Sequence, residues 1–301
     1  MILNSFMSSP QEPRRYQSAE EAAHIYLLPN LFTAGNMLCG FLAIKNCIEA
    51  HFTGLDSSAR SDHYIMAVWF IIFACVCDLF DGRIARATLR ESLFGAEFDS
   101  MADAVSFGVA PALMVCFLII NPNQNVEYIK LSTWLLAFIY LLCVGVRLAR
   151  FNVLTNPLIP GNEKRSAGGD FVGLPSPAAA GLIASIVLAL SKILNVSETN
   201  NRLDLVLKSW SWVLLPLMLL VSYLMISNVR FPSLKNINWN TRTKSKGFVL
   251  IILIGSGFVL FREFSMLVVF LGYITWGVVR NFFYLKKEET DPAPGDDDSV
   301  S

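Results

Sequence analysis

The chain has 301 residues, of which 54% are hydrophobic and 16% are charged, and its mean hydropathy is +0.50. A soluble domain carries about 25% charged residues, so this composition argues against a soluble enzyme. The 24 basic and 24 acidic residues cancel, which gives no indication of a nucleic-acid partner.

Long apolar blocks separated by short polar segments predict an all-α, polytopic transmembrane protein. The seventh block is short, and only Arg262 and Glu263 separate it from the eighth. These two blocks therefore fit either a tight hairpin or a single re-entrant unit. The eight predicted spans are 25–48, 64–88, 94–120, 131–154, 175–194, 209–226, 248–261 and 264–284.

The two ends of the chain are polar. Residues 1–24 lack the apolar core of a signal peptide and are expected to form an N-terminal tail. The acidic segment 286–301 is expected to be disordered. On the side of the N-terminal tail lie 17 lysines and arginines, against 6 on the other side. Because cytoplasmic loops are rich in basic residues, we expect a multi-pass protein of the cell (inner) membrane with both termini in the cytoplasm.

Four aspartates lie where the second predicted span ends and the third begins. Asp78 and Asp81 are three residues apart, and Asp99 and Asp103 are four apart. Either spacing places both carboxylates of a pair on one side of a helix, and a short connection makes the two helices antiparallel neighbours. An aspartate near a helix centre costs about 2.5–3.5 kcal/mol in a membrane, and four also repel one another. Hard divalent cations, Mg²⁺ or Mn²⁺, would offset this cost.

The residues around these aspartates carry a family signature. The pattern DxxDGxxAR, followed by eight residues and then GxxxDxxxD, resembles that of the CDP-alcohol phosphotransferase family at every specified position. The matching residues are Asp78, Asp81, Gly82, Ala85, Arg86, Gly95, Asp99 and Asp103. The resemblance covers about six spans. It implies a six-helix membrane domain, expected at 25–228, followed by additional C-terminal helices at 229–285.

The resemblance also implies the chemistry of the site. Two divalent cations would sit among the four aspartates, with Asp103 as the general base, because an alcohol hydroxyl is a poor nucleophile until a base takes its proton. The donor would be CDP-diacylglycerol, and the protein would be a homodimer. Asn30 and Thr33, in a segment that resembles the family's first-helix entry, either reach the donor or only cap the helix. The expected donor-binding residues are Asn30, Thr33, Asp78, Asp81, Gly82, Ala85, Arg86, Gly95 and Asp99.

Three further segments, 147–153, 171–181 and 231–235, resemble the branch of that family that makes phosphatidylserine. The expected acceptor is therefore L-serine, whose carboxylate suits a guanidinium fork. Arginines at a cytoplasmic helix end are also ordinary topology anchors, and this alternative stays open. The residues expected to bind serine are Arg147, Arg150, Asn152 and Ser176.

Two other functions compete with this interpretation. Another member of the same family would use glycerol 3-phosphate, inositol phosphate or choline as the acceptor, and the phosphorylated acceptors would require more cationic groups. A cation transporter also buries carboxylates, but it would distribute them at mid-membrane on broken helices.

Overall fold

The structure is a computed structural model that describes residues 27–52, 57–88, 93–120, 127–155, 171–196, 201–231 and 262–290. The N-terminal tail, the predicted seventh span and residues 291–301 lie outside these ranges.

The described residues are almost entirely helical, which confirms the all-α prediction. A π-helical segment, Ala104–Val109, joins α3 to α4, so that the third predicted span is one continuous rod. Two short strands, β1 (Phe171–Val172) and β2 (Arg230–Phe231), pair in antiparallel fashion. The helices are α1 (Leu27–Phe52), α2 (Ser57–Thr88), α3 (Leu93–Asp103), α4 (Ala110–Ile119), α5 (Glu127–Thr155), α6 (Ser176–Val196), α7 (Asn201–Ile226) and α8 (Arg262–Thr290).

Five of the described helical rods are long and apolar enough to cross a membrane: α1, α2, the continuous rod 93–119, α5 and α8. Two shorter apolar stretches, Ser176–Ser191 and Val213–Ile226, lie in α6 and α7. Large apolar side chains such as Phe41, Phe138 and Trp276 are exposed on the outside. Such surfaces are normal in lipid and costly in water, so the chain is a multi-pass membrane protein.

Several helices extend beyond their predicted spans, and α7 begins at Asn201, eight residues before its predicted start. α2 begins at Ser57, seven residues before the predicted start, and its Ser61 hydroxyl donates a 2.8 Å hydrogen bond to the Ser191 carbonyl. α8 continues to Thr290, into the segment that we expected to be a disordered tail. The added residues 286–289 are lysines and glutamates. These residues are good helix formers even where the apolar pattern stops.

Helices α1 and α2 pack closely through small side chains. Ala43 and Ala50 of α1 and Ala67 and Ala74 of α2 are all buried in one core cluster. In lipid, where helices gain little from apolar burial alone, small residues allow this close van der Waals contact. The packing brings the N-terminal half of α1 against the C-terminal end of α2.

The π-helical segment lies directly against α1 at Gly40. A Cβ atom added at Gly40 would lie 2.8 Å from the Cα atom of Ser106. The Ser106 hydroxyl also donates a 2.9 Å hydrogen bond to the carbonyl of Asn36. π-helical turns are rare and often lie at functional sites. Here the turn follows Asp103 immediately.

We expect Gly40→Val to destabilise the protein by about 1–3 kcal/mol, because the new side chain overlaps the backbone of the π-helical segment. Thermal unfolding in detergent measures the effect as a lower melting temperature. Gly272→Val is the matched control, since a Cβ atom there meets nothing within 4 Å. Equal melting temperatures for the two variants would show that α1 and the π-helical segment are not in close contact.

The β1–β2 pair anchors the entry to α6. Gly173 has a φ of 84°, a left-handed conformation that favours glycine. Its N–H donates to the Val229 carbonyl at 2.9 Å, and the next N–H, of Leu174, donates to Leu224 at 3.0 Å. These bonds hold the first residue of α6, Ser176, at the end of the bundle where α2 ends and α3 begins.

Candidate active site

Three carboxylates from two helices converge at this end of the bundle. One oxygen from each of Asp78, Asp99 and Asp103 can be chosen so that all three lie within 4.8 Å of one another. Asp78 comes from the C-terminal part of α2, and the other two come from α3. Asp103 is only 7% exposed. The predicted convergence of the two helices is therefore present for three of the four aspartates.

The fourth aspartate, Asp81, lies beside this cluster and also contacts α1. Its side chain is 4% exposed. It accepts a 3.1 Å hydrogen bond from the Thr33 hydroxyl and another from the backbone N–H of Gly82. It also interacts with Asp99. Asp81 thus connects the three-carboxylate cluster to the first helix.

Asn36 of α1 is a site residue that the sequence analysis missed. It is fully buried, and its Nδ2 donates a 3.0 Å hydrogen bond to Oδ1 of Asp103. A sequence signal for it exists, because Asn30, Thr33 and Asn36 recur every third residue in an apolar helix. The amide therefore fixes the orientation of the Asp103 carboxylate.

The carboxylate cluster fits a divalent cation. Oδ1 of Asp99 is buried and has no hydrogen-bond partner among the described residues. Buried anions without such partners are costly, and several of them repel one another. Carboxylate oxygens are the hard ligands that Mg²⁺ and Mn²⁺ prefer. Asp78, Asp99 and Asp103 are the residues whose oxygens are close enough to share an ion.

Arg147 of α5 brings a positive charge to the same place. Its Nη1 donates a 2.7 Å hydrogen bond to the hydroxyl of Ser176, which is fully buried. The guanidinium interacts electrostatically with Asp103 and Asp78. Two of the four residues predicted to bind serine, Arg147 and Ser176, therefore lie together beside the carboxylate cluster.

The other two predicted serine-binding residues lie further out. Nη2 of Arg150 is 3.4 Å from Oδ1 of Asn228, and both groups are exposed. Asn152 bonds to α3 instead, accepting a 3.0 Å hydrogen bond from the Ser100 hydroxyl and donating a 3.3 Å bond to Glu97. Asn228, Ser100 and Glu97 were not among the predicted site residues.

The remaining predicted donor residues border the cluster along the chain. Gly82 follows Asp81 in α2, and Gly95 lies in the first turn of α3; both are half-buried. Asn30, also half-buried, lies one turn before Thr33 on α1. Ala85 and Arg86 continue α2, and their side chains lie outside the part of the chain that the structure describes.

Comparison with known proteins identifies a matching family and several similar proteins. The family profile described as CDP-alcohol phosphatidyltransferase matches residues 26–222. A Helicobacter pylori protein is 32% identical over 264 residues, which is 87% of this chain and 94% of that protein. A Bacillus subtilis protein is 28% identical over 69% of this chain and 91% of its own length. A Saccharomyces cerevisiae protein is 34% identical over 56% of this chain and 58% of its own length.

Each of these three relatives is named CDP-diacylglycerol–serine O-phosphatidyltransferase. The profile match spans well over half of the chain and includes the aspartates of α2 and α3, Asn36 of α1, and Arg147 of α5. The chain belongs to the CDP-alcohol phosphatidyltransferase family.

Proposed function

We propose that the chain is a CDP-diacylglycerol–serine O-phosphatidyltransferase. It transfers the phosphatidyl group of CDP-diacylglycerol to the hydroxyl of L-serine and releases phosphatidylserine and CMP. The observation that carries this proposal is the position of Arg147, held by Ser176 against the carboxylate cluster. That arrangement offers one guanidinium for an acceptor carboxylate beside the group that would take the acceptor's proton.

Divalent cations belong to the proposal. Asp78, Asp81, Asp99 and Asp103 would together hold two ions, Mg²⁺ or Mn²⁺. When bound, these ions would neutralise the diphosphate of the donor and the charge that develops on the leaving CMP.

The donor would lie along the ends of α1, α2 and α3. Gly82 and Gly95 have no side chains to keep a diphosphate from the backbone. Thr33, fixed by its bond to Asp81, would border the nucleotide on the α1 side. The other donor residues in this proposal are Asn30, Ala85 and Arg86.

Asp103 would act as the general base. Asn36 occupies its Oδ1, so Oδ2 is the oxygen that would accept the proton of the serine hydroxyl. The serine oxygen then forms a bond to the phosphorus that bears the lipid, and the bond from that phosphorus to the CMP oxygen breaks. The proton ends on the carboxylate and the electron pair of the broken bond on CMP.

The acceptor would be recognised by its charge. Arg147 would bind the carboxylate of serine, and Ser176 would hold the guanidinium in place. Glycerol 3-phosphate and inositol phosphate carry a phosphate in place of the amino acid's carboxylate and ammonium, and choline has no anionic group for Arg147. Membership of the family argues against the cation-transporter alternative.

The site residues all come from one end of the bundle: the start of α1, the end of α2, the start of α3, the end of α5 and the start of α6. We propose that this end faces the cytoplasm at the inner membrane, as the 17-to-6 split of basic residues predicts. We also propose a catalytic domain at 25–228, a C-terminal extension at 229–285, and a homodimer.

We expect Arg147→Lys to raise the KM for L-serine about 10- to 100-fold, because an ammonium cannot replace the planar fork that binds both carboxylate oxygens. The KM for CDP-diacylglycerol should change much less. Arg150→Lys should have a smaller effect, since the Arg150 side chain contacts exposed Asn228. Steady-state kinetics with each substrate varied in turn measures this. A larger rise in the KM for CDP-diacylglycerol than in the KM for L-serine would show that Arg147 belongs to the donor site.

The direct test of the proposal uses membranes from cells that express the chain. With CDP-diacylglycerol and radiolabelled L-serine, the label should enter the lipid fraction, and CMP should appear in equal amount. Membranes that contain the Asp78→Asn variant should show neither product. If the wild-type chain releases CMP with another alcohol but does not label lipid from serine, then serine is not the acceptor.

A further inference from the structure

The last helix, α8, turns one side toward the rest of the bundle. It follows the residues that the family profile matches, 26–222. Ile274 belongs to the larger core cluster, and Phe270 and Tyr273 pack against that cluster. Gly277 is also buried. The directions of these four residues fall within an arc of about 100° around the helix axis, so they share one side.

Two glycines allow α8 to approach α6 and β2 closely. A Cβ atom added at Gly181 of α6 would overlap the ring of Phe270, and one added at Gly277 would overlap the ring of Phe231 in β2. The Phe231 ring is fully buried and stacks on Tyr273, with ring centroids 6.0 Å apart and an interplanar angle of 29°. Because β2 pairs with β1, Tyr273 packs against the same strand pair that anchors the entry to α6.

The Tyr273 side chain also interacts with the guanidinium of Arg147. This guanidinium interacts electrostatically with Tyr273 as well as with Asp103 and Asp78. Its Nη1 donates the 2.7 Å hydrogen bond to Ser176, while its Nε is buried and has no hydrogen-bond partner among the described residues. A guanidinium carries five N–H donors, and a phenolic oxygen accepts hydrogen bonds. Tyr273 thus brings a polar group of α8 to the residue that is proposed to bind serine.

The orientation of the guanidinium determines how well it binds a carboxylate. Two parallel N–H···O bonds form only when the planar fork and the carboxylate are aligned. The bond to Ser176 fixes one nitrogen of the fork and leaves its plane free to turn about that bond. A second polar neighbour, on a different helix, restricts this rotation.

We propose that α8 is part of the acceptor site, and that Tyr273 is a positioning residue whose hydroxyl orients the Arg147 guanidinium toward the carboxylate of the acceptor amino acid. This inference rests on the proposed function, since it concerns the acceptor part of the same site. The helices of residues 26–222 alone would then bind serine weakly, because the group that orients Arg147 comes from the C-terminal helix.

The test removes only the hydroxyl. Tyr273→Phe keeps the ring that stacks on Phe231, and we expect it to raise the KM for L-serine about three- to tenfold, the value of one hydrogen bond. The KM for CDP-diacylglycerol should stay within about twofold, and the melting temperature should not change. The inhibition constant of L-alanine, which is serine without its hydroxyl, should rise by the same factor. Tyr223→Phe is the matched control, because Tyr223 is 71% exposed on α7.

A double-mutant cycle tests whether Tyr273 acts through Arg147. In the Arg147→Lys background the planar fork is absent, so the additional change Tyr273→Phe should have little further effect on the serine KM. Residues that act through one another show such non-additive effects, whereas independent residues show effects that multiply.

Four outcomes are decisive. An unchanged serine KM in Tyr273→Phe would overturn the inference. A rise in the KM of both substrates, together with a lower melting temperature, would make Tyr273 a packing residue and would also overturn it. Independent effects of the two substitutions would show that Tyr273 does not orient Arg147. If the wild-type chain does not use L-serine at all, the proposed function fails, and this result is visible before any variant is made.

Discussion

Replacing Asp103 with asparagine is expected to lower phosphatidylserine formation by about a thousandfold or more. The variant loses the group proposed to take the serine proton, and a positioned general base contributes about 10²- to 10⁴-fold. It also loses one of the three carboxylates whose oxygens lie within 4.8 Å of one another. The change keeps the size of the side chain, and an asparagine oxygen can still accept the hydrogen bond from Asn36. The fold should therefore survive.

CMP release and lipid labelling, measured on purified protein in detergent, test this expectation. Asp62→Asn is a matched control, because Asp62 is exposed near the other end of α2. Its activity should equal that of the wild type. If Asp103→Asn kept more than a tenth of the activity at an unchanged melting temperature, Asp103 would not be the base.

Removal of divalent cations is expected to abolish activity completely, and addition of Mg²⁺ or Mn²⁺ should restore it. Asp78, Asp99 and Asp103 repel one another when ionised, and Oδ1 of Asp99 is buried without a hydrogen-bond partner among the described residues. A cation removes both costs, so binding should also stabilise the fold. We therefore expect the chelator EDTA to lower the melting temperature and Mn²⁺ to raise it.

The thermal measurement separates metal binding from catalysis. Asp99→Asn should bind Mn²⁺ more weakly and show a smaller rise in melting temperature, whereas the Asp62→Asn control should respond as the wild type does. Undiminished turnover in excess EDTA, with no thermal effect of Mn²⁺, would refute the cation site in the carboxylate cluster.

The aspartate cluster was predictable because its four residues lie close together in the sequence. Asp78 and Asp81 lie near the end of one span, Asp99 and Asp103 near the start of the next, and a short connection requires the two helices to be neighbours. The pattern of long apolar blocks likewise located every described helix of the bundle. Its weak point was the helix ends, where polar residues such as those at 286–289 continue α8 without an apolar pattern.

Two pairs of residues, Asp78 with Asp81 and Arg147 with Arg150, show what spacing along a helix does not predict. Residues three apart on a helix differ by about 60° in direction. As a result Asp78 joins the carboxylate cluster, while Asp81 also bonds to Thr33 of α1. Arg147 lies against Ser176 and Arg150 against exposed Asn228 for the same reason. Spacing predicted one shared side in each case, and the neighbouring helices determined the partner of each residue.

Asn36 required the tertiary structure. Its partner, Asp103, lies 67 positions away in the chain. A lone asparagine in an apolar helix has many ordinary explanations, so the sequence alone did not favour a role for it. The π-helical turn after Asp103 was also unpredicted, because its residues are as apolar as those of an α-helix.

The carboxylate cluster is proposed to transfer a phosphatidyl group to serine. The most direct measurement gives purified protein CDP-diacylglycerol and Mn²⁺ with equal concentrations of L-serine, glycerol 3-phosphate, inositol phosphate and choline, and identifies the lipid products by mass spectrometry. We predict phosphatidylserine as the dominant product, with one CMP released for each molecule formed. A different phospholipid as the main product, or no CMP release with any of the four alcohols, would contradict serine as the acceptor.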